Sequence, residues 1–133
     1  MATLIDASVL IAAERGELDL DRLLPAQAGE EVALAAITAS ELLHGVHRAK
    51  RPKDRLRRAA FVEGLLAHVP VLAFDLVVAR VHARLWAELA SKGRMVGAHD
   101  LLVGATALAT GGRVATRNLR EFRRIPGLTL VEW

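Results

Sequence analysis

The chain has 133 residues, 53% of them hydrophobic, and a formal net charge of +3. That length and composition suit one domain with a sizeable core. The absence of cysteine excludes disulfides, thiolate metal sites and a cysteine nucleophile. The N-terminus lacks a basic stretch ahead of an apolar run, as a secretory signal would have. The longest weakly polar stretch, 101–112, falls short of the roughly 20 residues that span a bilayer. A cytoplasmic protein without a membrane segment is expected.

In chain order, Thr3–Ile5 reads as a short β-branched strand and Ser8–Glu14 as a helix. "LDLDRLL" is a second short helix. Glu31–Ile37 is apolar enough for a strand buried on both faces. Thr38 opens a helix through "ASELLHGVHRA", and Pro52 ends it or begins the next, which runs to about Ala67. "VPVLAF" is a strand. Asp75 caps a long helix with apolar residues at Leu76, Val78, Val81, Leu85 and Leu89. "KGRMVG" is a turn, and "AHDLLVGATALAT" a nearly all-apolar and therefore central helix, stopped by Gly111-Gly112. "RVAT" is a strand, "NLREF" one helical turn and "LTLVE" a last strand. Strands alternate with helices, and no linker or repeat interrupts them. An α/β fold with a mainly parallel sheet and helices on both faces follows, as one domain over 1–133.

Polar residues fall where such a sheet places its ligands, beyond the carboxyl ends of the strands. Asp6 ends the first strand. Glu41 lies in the first turn after "VALAAI", and Asp100 in the first turn of the central helix. Thr116 ends "RVAT", followed by Asn118 and Glu121. Each has a local reading too. Asp6 suits an N-cap, Thr38-x-x-Glu41 and Asn118-x-x-Glu121 match capping boxes, and Asp100 favours a helix N-terminus. Capping does not explain why Asp6 and Asp100 sit between such apolar segments. Carboxylates gathered without a cation repel one another. An all-oxygen set favours Mg²⁺ or Mn²⁺ over zinc, and such a site suits phosphoryl chemistry.

"LIDASVLIA", "TASELLHGV", "GAHDLLVGATAL" and "ATRNLREF", in this order, resemble the PIN-domain ribonucleases, and among them the VapC toxins of VapBC toxin–antitoxin pairs. The resemblance spans essentially the whole chain. It implies a three-layer α/β/α fold, a Mg²⁺- or Mn²⁺-dependent endoribonuclease, a homodimer and a VapB-type antitoxin partner. Asp6 and Asp100 would then be the principal metal ligands, with Glu41 completing the cluster. Thr116 falls on a supporting hydroxyl position. Asn118 stands where many members carry a fourth acid, which puts a second ion in doubt, and Glu121 supplies charge or caps the turn. The implied chemistry is hydrolysis by metal-activated water, leaving 5′-phosphate and 3′-hydroxyl ends. Arg117, Arg120 and the Arg48–Arg58 cluster, Arg48 and Arg51 included, would hold the RNA backbone. An antitoxin tail would suit the same channel.

Rival readings use the same residues. Glu41, His44 and His47 have a spacing found in di-iron bundles, and His99-Asp100 matches a metal pair of other phosphohydrolases. Both want an all-helical chain. The five histidines are otherwise read as surface or core residues, and Trp86 and Trp133 as core or dimer packing. With 4% aromatics there is no base-stacking platform. A non-catalytic PIN-like binding or regulatory module is the alternative from a different class.

Overall fold

Thr3, Leu4 and Ile5 are fully buried, so the first apolar run lies at the centre of the molecule. The structure is a computed structural model and describes residues 2–26 and 31–133. The elements in chain order are β1 (Ala2–Ile5), α1 (Ala7–Glu14), α2 (Leu20–Ala26), β2 (Glu31–Ala35), α3 (Ala36–Arg48), α4 (Pro52–His68), β3 (Val71–Leu72), α5 (Leu76–Ser91), α6 (Ala98–Ala109), β4 (Arg113–Thr116), α7 (Leu119–Phe122) and β5 (Leu130–Glu132). Among the described residues the strands form one sheet, ordered β3-β2-β1-β4-β5, with every pair parallel.

Side-chain alternation along the strands builds a core on each face. Leu4 and Val114 join Val78, Leu85 and Leu89 of α5 and Leu101 and Val103 of α6. The next residue along β1, Ile5, turns the other way, toward Val9 and Leu10 of α1, Leu42 of α3 and Val62 of α4. The result is the expected three-layer α/β/α arrangement. α6 is buried on most sides, as its near-uniform apolarity requires. No helix among the described residues is long and apolar enough to cross a membrane.

Glycine ends α6 and lets β4 begin. Gly111 takes a left-handed φ of 69°. Gly112 passes so close to β1 that a Cβ there would lie 2.6 Å from the carbonyl oxygen of Ala2. This approach seats β4 beside β1 in the register Ile5 to Ala115. The Asp6 N–H then donates to the Ala115 carbonyl at 2.9 Å, carrying the ladder one residue beyond the strand. Asp6 is thereby placed beside Thr116, 110 residues away in sequence.

Some boundaries differ from the sequence expectation. β2 stops at Ala35 and α3 starts at Ala36, so Thr38 lies inside the helix rather than at its cap. The strand expected over "VPVLAF" is confined to Val71–Leu72. Pro52 begins α4. Asp75 caps α5 as expected, accepting a hydrogen bond from the Val78 N–H at 3.0 Å.

Candidate active site

The chain winds outward from β1 to β2 and β3, then returns to place β4 on the other side of β1. This reversal is a topological switch point, where connections diverge to opposite faces and leave a crevice beyond the strand ends. Asp6 and Thr116 end the two strands that flank it.

Asp6 sits at the rim as expected, but its side chain is only 4% exposed. An ionised carboxylate so buried needs donors. Its Oδ2 accepts from Ser8 Oγ at 2.7 Å and from Thr116 Oγ1 at 2.9 Å. The backbone of Asp6 occupies the N-cap position of α1, yet its carboxylate caps nothing. The two capping boxes also fail. Ala35 is the N-cap of α3, and the buried Thr38 hydroxyl has no hydrogen-bond partner among the described residues. Glu41 is thus free of a capping role, and its Oε1 lies 3.5 Å from His99 Nδ1. Asn118 donates its side-chain N–H to Asp100 Oδ2 at 3.2 Å instead of capping α7. Glu121 reaches across to accept the Gly97 N–H at 2.8 Å, which pins the start of α6. Arg124 adds a second tie to the same loop, donating to the Met95 carbonyl at 3.0 Å.

The acids feel one another. Burial pushes the Asp100 carboxyl up to about 6, with further upward pressure from the charges of Asp6, Glu121 and Glu41; the Asn118 hydrogen bond opposes the shift. Glu41 is also raised, chiefly by burial and further by the charge of Asp6, while His99 pulls the other way. Crowded carboxylates with no thiolate in the chain have the donor chemistry of a site for a hard divalent cation. Among the described residues, however, no three acidic or histidine groups stand close enough together to cage an ion. Asp6 instead leans on two hydroxyls, Glu41 toward His99 and Asp100 on Asn118.

A profile of the PIN domain matches residues 3–128. The chain is a PIN-domain protein. Among its relatives it is 37% identical over 102 residues to the tRNA(fMet)-specific endonuclease VapC of Salmonella typhimurium, covering 77% of this chain and 75% of that one. It is 31% identical over 131 residues to ribonuclease VapC1 of Rickettsia felis, covering 98% and 96%. The DNA-bound VapBC structure from Salmonella typhimurium superposes with a TM-score of 0.90 at 29% identity, covering 100% of this chain and 98% of the other. These matches put this PIN domain in the VapC group.

The candidate arginines of this PIN domain separate into several roles. Arg48 lines a groove of about 540 Å³ that opens onto Glu41 and His99. Arg55 instead donates to the Ala49 carbonyl at 3.0 Å, and Arg58 to that of Gly45 at 3.2 Å, so both tie α4 to the end of α3. Arg51 and Arg120 are exposed outside the groove, and Arg117 pairs with Glu17 at 3.3 Å on the surface.

Two readings need correction. His99 is not a bystander, because it faces Glu41. Of the two packings read for Trp86, core or dimer, exposure excludes the core: it is 56% exposed, in a row with His82 and Phe74 at centroid separations of 5.8 and 5.6 Å. Of the two roles open to Glu121, it supplies a further negative charge beside Asp100, position 118 being an amide. Ser8 was missed altogether. Its signal was the spacing Asp6-x-Ser8, which lets a residue at the helix start fold back on the carboxylate before it.

Proposed function

We propose that this PIN domain is an endoribonuclease toxin of a VapBC-type pair, that Mg²⁺ or Mn²⁺ serves its hydrolysis of RNA phosphodiesters, and that a VapB-type antitoxin holds it inactive. The observation that carries the reading is that one turn after β4 holds both Asp6, through Thr116, and Asp100, through Asn118, at the switch point, with Glu41 and Glu121 near enough to raise the Asp100 carboxyl. Asp6, Asp100 and Glu41 would hold the cation, which when bound supplies charge neutralisation at the phosphodiester and activation of the attacking water. Asn118 orients Asp100, Glu121 fixes the start of α6, and Arg48 offers a guanidinium to a phosphate in the groove. The groove's apolar lining of Leu10, Ile11, Phe61 and Val62, edged by charges of both signs, suits a polypeptide as well, which supports antitoxin docking there. The exposed apolar side chains Phe74, Leu76, Val77 and Trp86 support pairing with a second copy.

The test is RNA incubated with the purified, antitoxin-free protein, with Mg²⁺ or with EDTA, beside Asp6→Asn. Cleavage that needs Mg²⁺, leaves 5′-phosphates and falls by at least about 100-fold in the variant is expected, since one essential group is removed. Cleavage equal in both proteins would mark a contaminating nuclease and favour the non-catalytic PIN-like module.

A further inference from the structure

Asp6 Oδ2 is held by two hydroxyls, and the protons of both are directed by the same turn. A carboxylate only accepts, so Ser8 Oγ and Thr116 Oγ1 must each give it their single hydrogen. Each hydroxyl also has a lone pair occupied from behind. Ser8 Oγ accepts the Arg117 N–H at 3.1 Å, and Thr116 Oγ1 accepts the Asn118 N–H at 2.8 Å. Two consecutive backbone donors of the β4–α7 turn thus aim two hydroxyl protons, one from each side of the sheet crossover, at one oxygen. The hydroxyls themselves lie 3.3 Å apart. Asp6 Oδ1 accepts no hydrogen bond among the described residues. It is also not one of the side-chain oxygens sealed from solvent without a partner.

We propose that Ser8 is a positioning residue for metal binding: with Thr116 it saturates Asp6 Oδ2 and leaves Oδ1 as the oxygen presented to the cation. This rests on the metal reading of Asp6. Thr116 alone cannot fix the carboxylate, because one hydrogen bond leaves rotation about the Cβ–Cγ bond open, whereas two donors on the same oxygen from different directions close it. Ser8 also couples that orientation to the turn carrying Arg117 and Asn118, and through the Asn118 amide to Asp100 Oδ2. Partners one step removed from a metal typically change its affinity by roughly 10–100-fold when lost.

The experiment measures Mn²⁺ dissociation constants by calorimetry, without RNA, for the wild type, Ser8→Ala, Ser8→Thr and Ser91→Ala. Ser91 donates only to the Glu88 carbonyl on the exposed side of α5 and controls for a generic serine deletion. Thermal melts in EDTA confirm that each variant folds. The expected result is Mn²⁺ binding about 10-fold weaker in Ser8→Ala, most of it restored in Ser8→Thr, and no change in Ser91→Ala. In steady-state RNA cleavage, the Ser8→Ala defect should fall on kcat at subsaturating Mn²⁺ and shrink as Mn²⁺ approaches saturation, with KM for RNA unchanged. Ser8→Ala binding Mn²⁺ as tightly as the wild type overturns the proposal, as does Ser8→Thr binding as weakly as Ser8→Ala. A wild type that binds no Mn²⁺ removes both the metal reading and this proposal. The expected Mn²⁺ pattern without RNA cleavage removes the nuclease reading alone.

Discussion

Asp100 carries the clearest electrostatic signature of the site, because its half-buried carboxyl faces three other acids and is relieved by a single amide. Its folded-state pKa of about 6 exceeds the ordinary value of 3.8, so the folded protein keeps a proton that the unfolded chain has lost between those pH values. Raising the pH through that window therefore draws the metal-free protein toward unfolding. The cost is absent below about pH 4 and complete above about pH 6. Asp100→Asn removes it. In EDTA the variant should melt above the wild type at pH 7.5, with the gap narrowing toward pH 4.5. Added Mn²⁺ should reverse the order, since only the wild type retains the ligand. A gap unchanged between the two pH values would mean that Asp100 is not electrostatically strained. At this scale the sequence was informative about residue type and less so about partner. Acids at strand ends were visible, but Glu41 and Asn118 each matched a capping box that the fold does not form. A capping box is a local pattern. Whether its side chains turn inward depends on neighbours such as His99 and Asp100 from another element.

Among the elements, β4 carries the greatest demand on the backbone. Its first neighbour, Gly112, leaves no room for a methyl group against the Ala2 carbonyl, and a backbone atom cannot rotate aside. Gly112→Ala should therefore push β4 away from β1 and cost about 1–3 kcal/mol, as overpacking does, read as a lower urea midpoint at unchanged m-value. An unaltered midpoint would mean that the two strands shift apart freely. Element types followed from periodicity and glycine placement, and the alternation of strand and helix gave the layers. Boundaries were less legible. "VALAAITAS" carries no break between strand and helix, and alanine suits both states here. The end of β2 is set by pairing, as β1 reaches it only to Ala33 and β3 to Ala35. The double role of α5 was also hidden: Val78, Leu85 and Leu89 face the core, while Leu76, Val77 and Trp86 remain exposed.

At the scale of the molecule, sheet order makes the site. Because β4 inserts beside β1 rather than beyond β3, Thr116 and Asn118 arrive next to Asp6, and α6 brings Asp100 to the same rim. No local pattern in the chain states that order. It was legible only through the resemblance of four separated motifs, and the structure supplies its physical basis in the register of Ile5 with Ala115. The proposed cation site would draw on Asp6, Asp100 and Glu41 at this rim. Crystals grown with Mn²⁺ and measured for its anomalous signal test it most directly. The expected result is a single peak bonded to Asp6 Oδ1 and to the Asp100 carboxylate at about 2.0–2.2 Å, the range for a small hard cation with oxygen ligands. A peak elsewhere, or none at millimolar Mn²⁺, would contradict it.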